Sequence, residues 1–391
     1  ISSPGGVRWT VDLFEQFEKQ HGYNPVPHLP SLYEEVGNWK KFRHDYTKTL
    51  LHLFIDRWAK PSYHFYDQRG LQWTGHYWEH AWPDLWAGGD NMAMYAWFHQ
   101  PGIDMLFNQF DDQSPIAQFG NVRAVREVAS AARQRGRKRV LSETYGGAGW
   151  DVTFKDLKRL GDWEFALGIN FMNQHLYHYS LSGKRKYDYP PYFSYQSSWF
   201  KHYRVLNDYY GRLSAALSAG KQSNDVLVIE PTSTLWLYYS YVYSYTRKPD
   251  RLWEVGEEFQ RFVTKLSKQQ VEYDLGSETI IADWGVEKNG RLVVGEVSYG
   301  TVVLPPLTEN VERETFELLK QFVRQGGKLL LFSVPNYIDG VASDEWNELL
   351  LSQKNVIVIS ALTDRVIADY LRDSSIHFDG VTNQNLYHHR R

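Results

Sequence analysis

Cysteine is absent from all 391 residues. That one absence excludes disulfides, thiolate metal sites and cysteine nucleophiles together, though it does not fix the compartment. A basic surplus is also missing. Forty-three Lys and Arg face 46 Asp and Glu, a formal net charge of −3. With no long charge run, nothing calls for a nucleic-acid partner. No apolar stretch is as long as a membrane span, so no membrane partner is expected. The first residue is Ile1 rather than Met, and no signal-peptide pattern follows. The chain therefore reads as processed, or as a segment of something longer.

What is abundant is aromatic. Phe, Trp and Tyr make up 16% of the residues, with 15 Trp and 27 Tyr. Tyr and Trp offer an apolar face with a polar edge, which suits the C–H face and hydroxyl rim of a pyranose. A large aromatic core is the plainer explanation. The sugar reading gains because the aromatics crowd around two glutamates.

Periodicity sets the frame. Residues 7–21 and 43–58 read as helices. Short apolar runs at 71–74, 105–108, 139–142 and 169–174 then alternate with helical segments near 87–98, 121–135, 153–166 and 197–219. The Ala- and Arg-rich segment 123–135 reads as a solvated crossover helix. Such βα units indicate a parallel sheet. The expected fold class is α/β, with residues 1–222 forming part of a (β/α)₈ barrel whose N-terminal strands are absent. After the polar linker 219–224, continuous apolar runs at 225–230, 279–283, 301–304, 328–332 and 355–360 predict strands buried on both faces. Residues 223–376 thus read as a doubly wound, amidotransferase-like α/β domain with a packing or homo-oligomerising role. Residues 377–391 read as the start of a truncated β-sandwich.

The chemistry concentrates in Val140-Leu-Ser-Glu-Thr-Tyr-Gly-Gly-Ala-Gly-Trp150. An apolar run ends in Glu143 and is followed by a glycine turn that leaves room for a ligand. Ser142 and Thr144 are placed to orient that glutamate. Gly75-His-Tyr-Trp-Glu-His-Ala-Trp82 puts Glu79 in a similar setting, where an apolar wall would raise a carboxyl pKa. Two carboxylates, one acid and one base or nucleophile, are what glycoside hydrolysis requires. The plain alternatives are a salt-bridged loop glutamate and a structural Glu–His pair. His76, Trp78, Asn108, Tyr145, Trp150, His175 and Tyr177 are candidate sugar-binding residues. Asp111 and Asp112 are candidate calcium ligands or plain surface acids. No metal site is assigned, and no cofactor is required by these motifs.

These residues carry a resemblance. Gly75-His76…Glu79, Ser142-Glu-Thr-Tyr-Gly-Gly-Ala-Gly-Trp150, Gly168-Ile-Asn…His175…Tyr179-Ser180, Val302-Val-Leu-Pro-Pro306…Gly326-Gly327 and the closing Leu386-Tyr-His-His-Arg390 resemble the α-L-rhamnosidases of glycoside hydrolase family 106. More distantly, the arrangement is similar to family 42 β-galactosidases. The resemblance implies a catalytic (β/α)₈ barrel, an amidotransferase-like domain and flanking β-sandwiches. It also implies an inverting mechanism with glutamates as acid and base, and a Ca²⁺ near the sugar. By position Glu143 resembles the family's base and Glu79 another active-site glutamate. The chain departs from the family in lacking upstream strands that carry a further acid. The expectation is a glycosidase removing terminal α-L-rhamnose from a carbohydrate substrate, extracellular or periplasmic, and an internal segment of a longer polypeptide. The alternatives are a retaining β-galactosidase-like enzyme and a barrel that binds carbohydrate without catalysis.

Overall fold

The computed structural model describes residues 7–77, 79–85, 88–107, 121–222, 224–241, 251–372 and 386–389. Two parallel sheets organise them. The first has four strands in sequential order: β1 (Thr74–Gly75), β2 (Gln100–Met105), β3 (Leu141–Thr144) and β4 (Phe171–Gln174). Helices Val122–Gln134 and Phe154–Leu167 make the crossovers, and Arg204–Leu217 follows β4. This is the βα alternation the periodicity predicts. β2 begins five residues earlier than expected, because Gly102 and Asp104 interrupt an apolar pattern that the sheet nevertheless absorbs. Helix Phe154–Leu167 starts at a capping box, in which Thr153 and Asp156 exchange side-chain and backbone bonds, satisfying two of the orphan amides of the first turn.

The second sheet has five parallel strands in the order Val356–Val358, Lys328–Leu331, Thr301–Leu304, Val226–Ile229, Tyr273–Gly276. Four coincide with predicted apolar runs. The fifth does not: the run at 279–283 is helix Glu278–Trp284, capped by Ser277 Oγ, which accepts from Ile280 N at 3.2 Å. A run of five residues has no period long enough to separate strand from helix. The strand that takes its place, Tyr273–Gly276, carries a buried charge, Asp274. Arg133, Asn224 and Tyr299 satisfy it. A three-stranded antiparallel meander, Gly285–Lys288, Arg291–Val294 and Val297–Tyr299, was also unforeseen. Its first turn is Asn289-Gly290, both at positive φ (53° and 73°), the turn chemistry of a two-residue hairpin.

Helix Val122–Gln134 corrects a further expectation. It is buried along nearly its whole length and lies between the two sheets. Its arginines are paired rather than solvated. Arg123 is fully buried; it bonds Glu127, donates to the Glu79 carbonyl at 2.7 Å and covers the Trp82 ring at 4.5 Å. Arg133 bonds Asp274. Ser130 Oγ accepts from Leu275 N and Gln134 Nε2 donates to Leu275 O, each at 2.9 Å. The helix therefore fastens the first sheet to an edge strand of the second, and one hydrophobic core runs across both. The alanines Ala124, Ala129, Ala131 and Ala132 permit that close approach.

Helix Trp39–Phe54 packs on helix Thr232–Tyr238 and adds a second seam. There His44 is buried between Asp45 and Glu312, with Lys48 also on Glu312. Of the expected β-sandwich start, only 386–389 are described, without regular structure; 377–385 and 390–391 lie outside the described residues. Among the described residues no helix is long and apolar enough to cross a membrane.

Candidate active site

The C-terminal ends of the four strands of the first sheet each deliver one titratable side chain. His76 stands just beyond β1, Asp104 near the end of β2, Glu143 near the end of β3 and His175 just beyond β4. Asp104 and Glu143 are partners in the parallel register. In-register neighbours point to the same face of a sheet, so the two carboxylates share one side. Ser142 and Thr144 point the opposite way. They do not orient Glu143: Ser142 Oγ donates to Glu164 at 3.0 Å and Thr144 Oγ1 lies 3.4 Å from the same carboxyl. Burial raises the Glu164 pKa to about 8, against the pull of those two hydroxyls, so it is a neutral strut behind β3.

Glu143 is about a quarter exposed. His76 Nε2 donates to its Oε2 at 3.1 Å, and His175 Nε2 lies 4.0 Å from Oε1. The hydrogen bond from His76 holds the Glu143 pKa below its ordinary value; partial burial opposes this and the charges of His76 and His175 add to it. For His76, burial disfavours the cation. The bond to Glu143 and the charges of Glu79, Asp104 and Glu143 outweigh it, and its pKa rises to about 9. Asp104 goes the other way. Burial lifts its pKa to about 6, with His76 opposing and Glu143 adding. Its Oδ1 is buried with no hydrogen-bond partner, as is His175 Nδ1. Neighbouring acids with pKa values driven apart are the arrangement in which one carboxyl keeps a proton while the other stays ionised.

Glu79 does not share that open face. It is completely buried in the short helix Glu79–Ala81, and its carboxylate accepts from Tyr95 Oη at 3.0 Å and from Asp104 N. Burial raises its pKa to about 7. It lies behind Asp104, braces the backbone there and contributes field to His76. The expected convergence of Glu79 and Glu143 on one hollow is therefore replaced by Asp104 with Glu143. Strand placement hid Asp104, because a strand beginning at Met105 leaves it outside. Tyr145 is another correction. It is 1% exposed at φ 78° and donates to the Leu157 carbonyl at 2.9 Å, so its hydroxyl is spent on the helix beneath.

The glycine turn after Glu143 is packed tightly against neighbouring side chains. A Cβ at Gly146 would lie 3.0 Å from both His175 Cγ and Leu106 Cδ2, and one at Gly147 would lie 2.7 Å from the Phe107 ring. Trp150 is half exposed and its Nε1 donates to the Lys186 carbonyl at 3.2 Å. Tyr177 is exposed. Tyr189, overlooked in the sequence, sets its ring edge-on to His175 at 6.0 Å. Trp78, Asn108, Asp111 and Asp112 lie outside the described residues.

The calcium implied by the resemblance has its candidate ligands, Asp111 and Asp112, outside the described residues. Among the described residues, the three-residue cluster of suitable type is His44, Glu312 and Asp339, at the second seam. Calcium wants six to eight oxygen ligands, whereas this cluster is built on a histidine nitrogen and carries the Lys48 ammonium on Glu312. A cavity of about 530 Å³ lies elsewhere, beside Val140 and Asn170, just before β3 and β4. It is at the opposite strand ends from the carboxylates.

The chain matches the family model for α-L-rhamnosidase, glycoside hydrolase family 106, over residues 3–345. A rhamnosidase structure from Novosphingobium sp. PP1Y is similar with a TM-score of 0.69 at 20% identity, over 92% of this chain and 34% of that one. An exo-carrageenase of family 42 from Bacteroides ovatus is similar with a TM-score of 0.59 at 11% identity, over 90% of this chain and 49% of that one. A protein of Formosa agariphila, described provisionally as a beta-glucuronidase, is 24% identical over 339 residues, 83% of this chain and 26% of that protein. The chain thus spans about a quarter to a half of the length of these relatives.

Proposed function

We propose a function from one premise: this chain belongs to glycoside hydrolase family 106, the family described as α-L-rhamnosidase. It carries the catalytic carboxylate of a glycosidase that releases a terminal sugar, α-L-rhamnose, from a glycoside or polysaccharide met outside the cytoplasm. The supporting observation is the divergence of two carboxyl groups on adjacent strand ends. Glu143 is held ionised by His76, while burial gives the neighbouring Asp104 a pKa of about 6.

In this reading Glu143 is the base that draws the proton from the attacking water. The negative charge is maintained by the His76 cation, and His175 guards its second oxygen. Asp104 holds a proton for the departing glycosidic oxygen, and buried Glu79 fixes its backbone from behind. The glycine turn lets the backbone after Glu143 pack directly against His175, Leu106 and Phe107. Exposed Trp150 and Tyr177 offer faces for it.

Leaving-group dependence tests these roles. Glu143→Gln should lower turnover of an activated nitrophenyl rhamnoside and of an unactivated alkyl rhamnoside alike. Asp104→Asn should spare the nitrophenyl substrate, whose leaving group needs little protonation, and lose the alkyl one. If Asp104→Asn slows both equally, the acid lies elsewhere. If Glu143→Gln slows neither, the site is misassigned. The retaining, β-galactosidase-like alternative has one observation in its favour: strand neighbours in register are only about 4.8 Å apart, nearer to the retaining carboxyl spacing of about 5–5.5 Å than to the inverting one of about 6.5–9.5 Å. The anomer first released, followed by NMR, separates the two.

A further inference from the structure

The loop that follows β4 is tied to the catalytic turn at two points: Trp150 Nε1 donates to the Lys186 carbonyl and Gly149 N donates to the Pro190 carbonyl at 3.0 Å. Within the loop, Tyr189 stands edge-on to His175. This loop therefore forms part of the rim around Glu143. Its short helix, Gly183–Tyr187, consists largely of three consecutive cations, Lys184, Arg185 and Lys186, all exposed. Arg185 reaches the Ser180 hydroxyl, at 3.1 Å. Lys184 and Lys186 make no ion pair among the described residues. The nearby acid, Asp188, faces His178 at 3.6 Å.

Exposed rings flank these charges in the loop. Tyr177, Tyr179, Tyr187 and Tyr195 are between 61% and 92% exposed. Large rings this exposed on one loop need an explanation beyond folding, since most of their surface stays in water. Sugar faces stack on such rings. Unpaired ammonium groups beside them, on a chain of net charge −3, add attraction for a negative ligand. The plain reading, a solvated charged loop, leaves unexplained why the cations sit on the one turn that is hydrogen-bonded to Trp150.

From this juxtaposition we infer that the site takes an acidic oligosaccharide: the residue bearing the sugar to be released carries a carboxylate or sulfate, which Lys184 and Lys186 receive while the tyrosines stack on its ring. This inference rests on the rhamnosidase reading for the released sugar, but not for the binding of the anion. Lysine presents a flexible point charge rather than a bidentate fork, so carboxylate and sulfate are both accommodated.

The test compares binding and turnover in the full-length protein. The probes are a rhamnosylated uronic-acid oligosaccharide, its carboxyl-reduced counterpart, and a sulfated and desulfated pair. The anionic member of at least one pair should bind several-fold tighter at low salt, and the preference should shrink as salt screens it. Which pair shows the preference identifies the acid. Lys184→Ala/Lys186→Ala should cut the anionic-over-neutral selectivity about three- to tenfold, as two exposed charge pairs would. Both residues are exposed, so folding should be retained. Equal binding of both members in both pairs, or a selectivity untouched by the double substitution, overturns the inference. A binding preference without cleavage of any probe keeps the inference and rejects the hydrolase reading. Cleavage without preference does the reverse.

Discussion

Two regions of this molecule bury charge, and they do so to opposite ends. At the seams, the principal charges meet opposite charges, with only single atoms such as Arg123 Nε and Glu230 Oε1 left without a hydrogen-bond partner. Arg123 is matched by Glu127, Arg133 by Asp274, and His44 by Asp45 and Glu312. At the strand ends of the first sheet the account stays open. Asp104 Oδ1 and His175 Nδ1 have no partner, and Glu143 keeps a solvent-facing edge. Closed networks hold elements in place; a half-satisfied group has valence left for a substrate. The difference separates Glu79 from Glu143 better than their sequence contexts do.

The sharpest way to break this comparison is to neutralise one residue of each kind. Glu143→Gln should reduce turnover by roughly 10²–10⁴-fold with the thermal midpoint unchanged, as read by steady-state kinetics beside calorimetry. Glu312→Ala should instead destabilise the fold by about 3–5 kcal/mol, since it strands His44 and Lys48 in the interior. Chemical denaturation measures that loss. If Glu143→Gln unfolds the protein, or Glu312→Ala leaves it intact, the division between open and closed charge fails.

A smaller effect sharpens it. Gly146→Ala should displace His175 and Leu106, both 3.0 Å from the new Cβ, and lower kcat/KM by about 10–100-fold without a large change in stability, because sub-ångström shifts at a reacting site are expensive. Substrate-saturation curves for the purified variant would show it.

The two regions should also respond to pH in different ways. Asp104, with its pKa raised to about 6, must be protonated to act as acid, so activity should fall as pH rises through about 6. An Asp104→Asn enzyme assayed on the nitrophenyl substrate should lack that limb. At the seam, burial opposes the His44 cation but Glu312 and Asp45 outweigh it, and its pKa rises to about 9. A raised folded-state pKa gives stability that is complete below the unfolded value of about 6.5 and is lost as pH climbs toward 9. Melting temperature followed from pH 6 to 9.5 should decline, and the decline should flatten in His44→Gln. The least effect belongs to Trp150→Ala, a few-fold rise in KM from one lost stacking face.

Much of this was legible in the chain. The βα alternation, the parallel second sheet and the position of Glu143 at a strand end before a glycine turn all follow from local pattern, since period and turn chemistry act over a few residues. Other features were hidden for physical reasons. Helix Val122–Gln134 looks solvated because its arginines are read one at a time; only their partners on other elements make them buriable. The run at 279–283 looks like a strand because so short a run fits either period. Tyr273–Gly276 looks unlike a strand because Asp274 is charged, and its neutralisation comes from Arg133, more than a hundred residues away.

The sequence by itself determined the class of architecture and the stretch in which Glu143 lies, because these depend on hydrophobic period and short-range turn residues, while its motifs carried the resemblance to the family. Tertiary structure alone decided that Asp104, not Glu79, stands beside Glu143. Side-chain direction in a parallel sheet follows register between strands, and register is set by packing across the whole sheet rather than by any residue's neighbours in the chain.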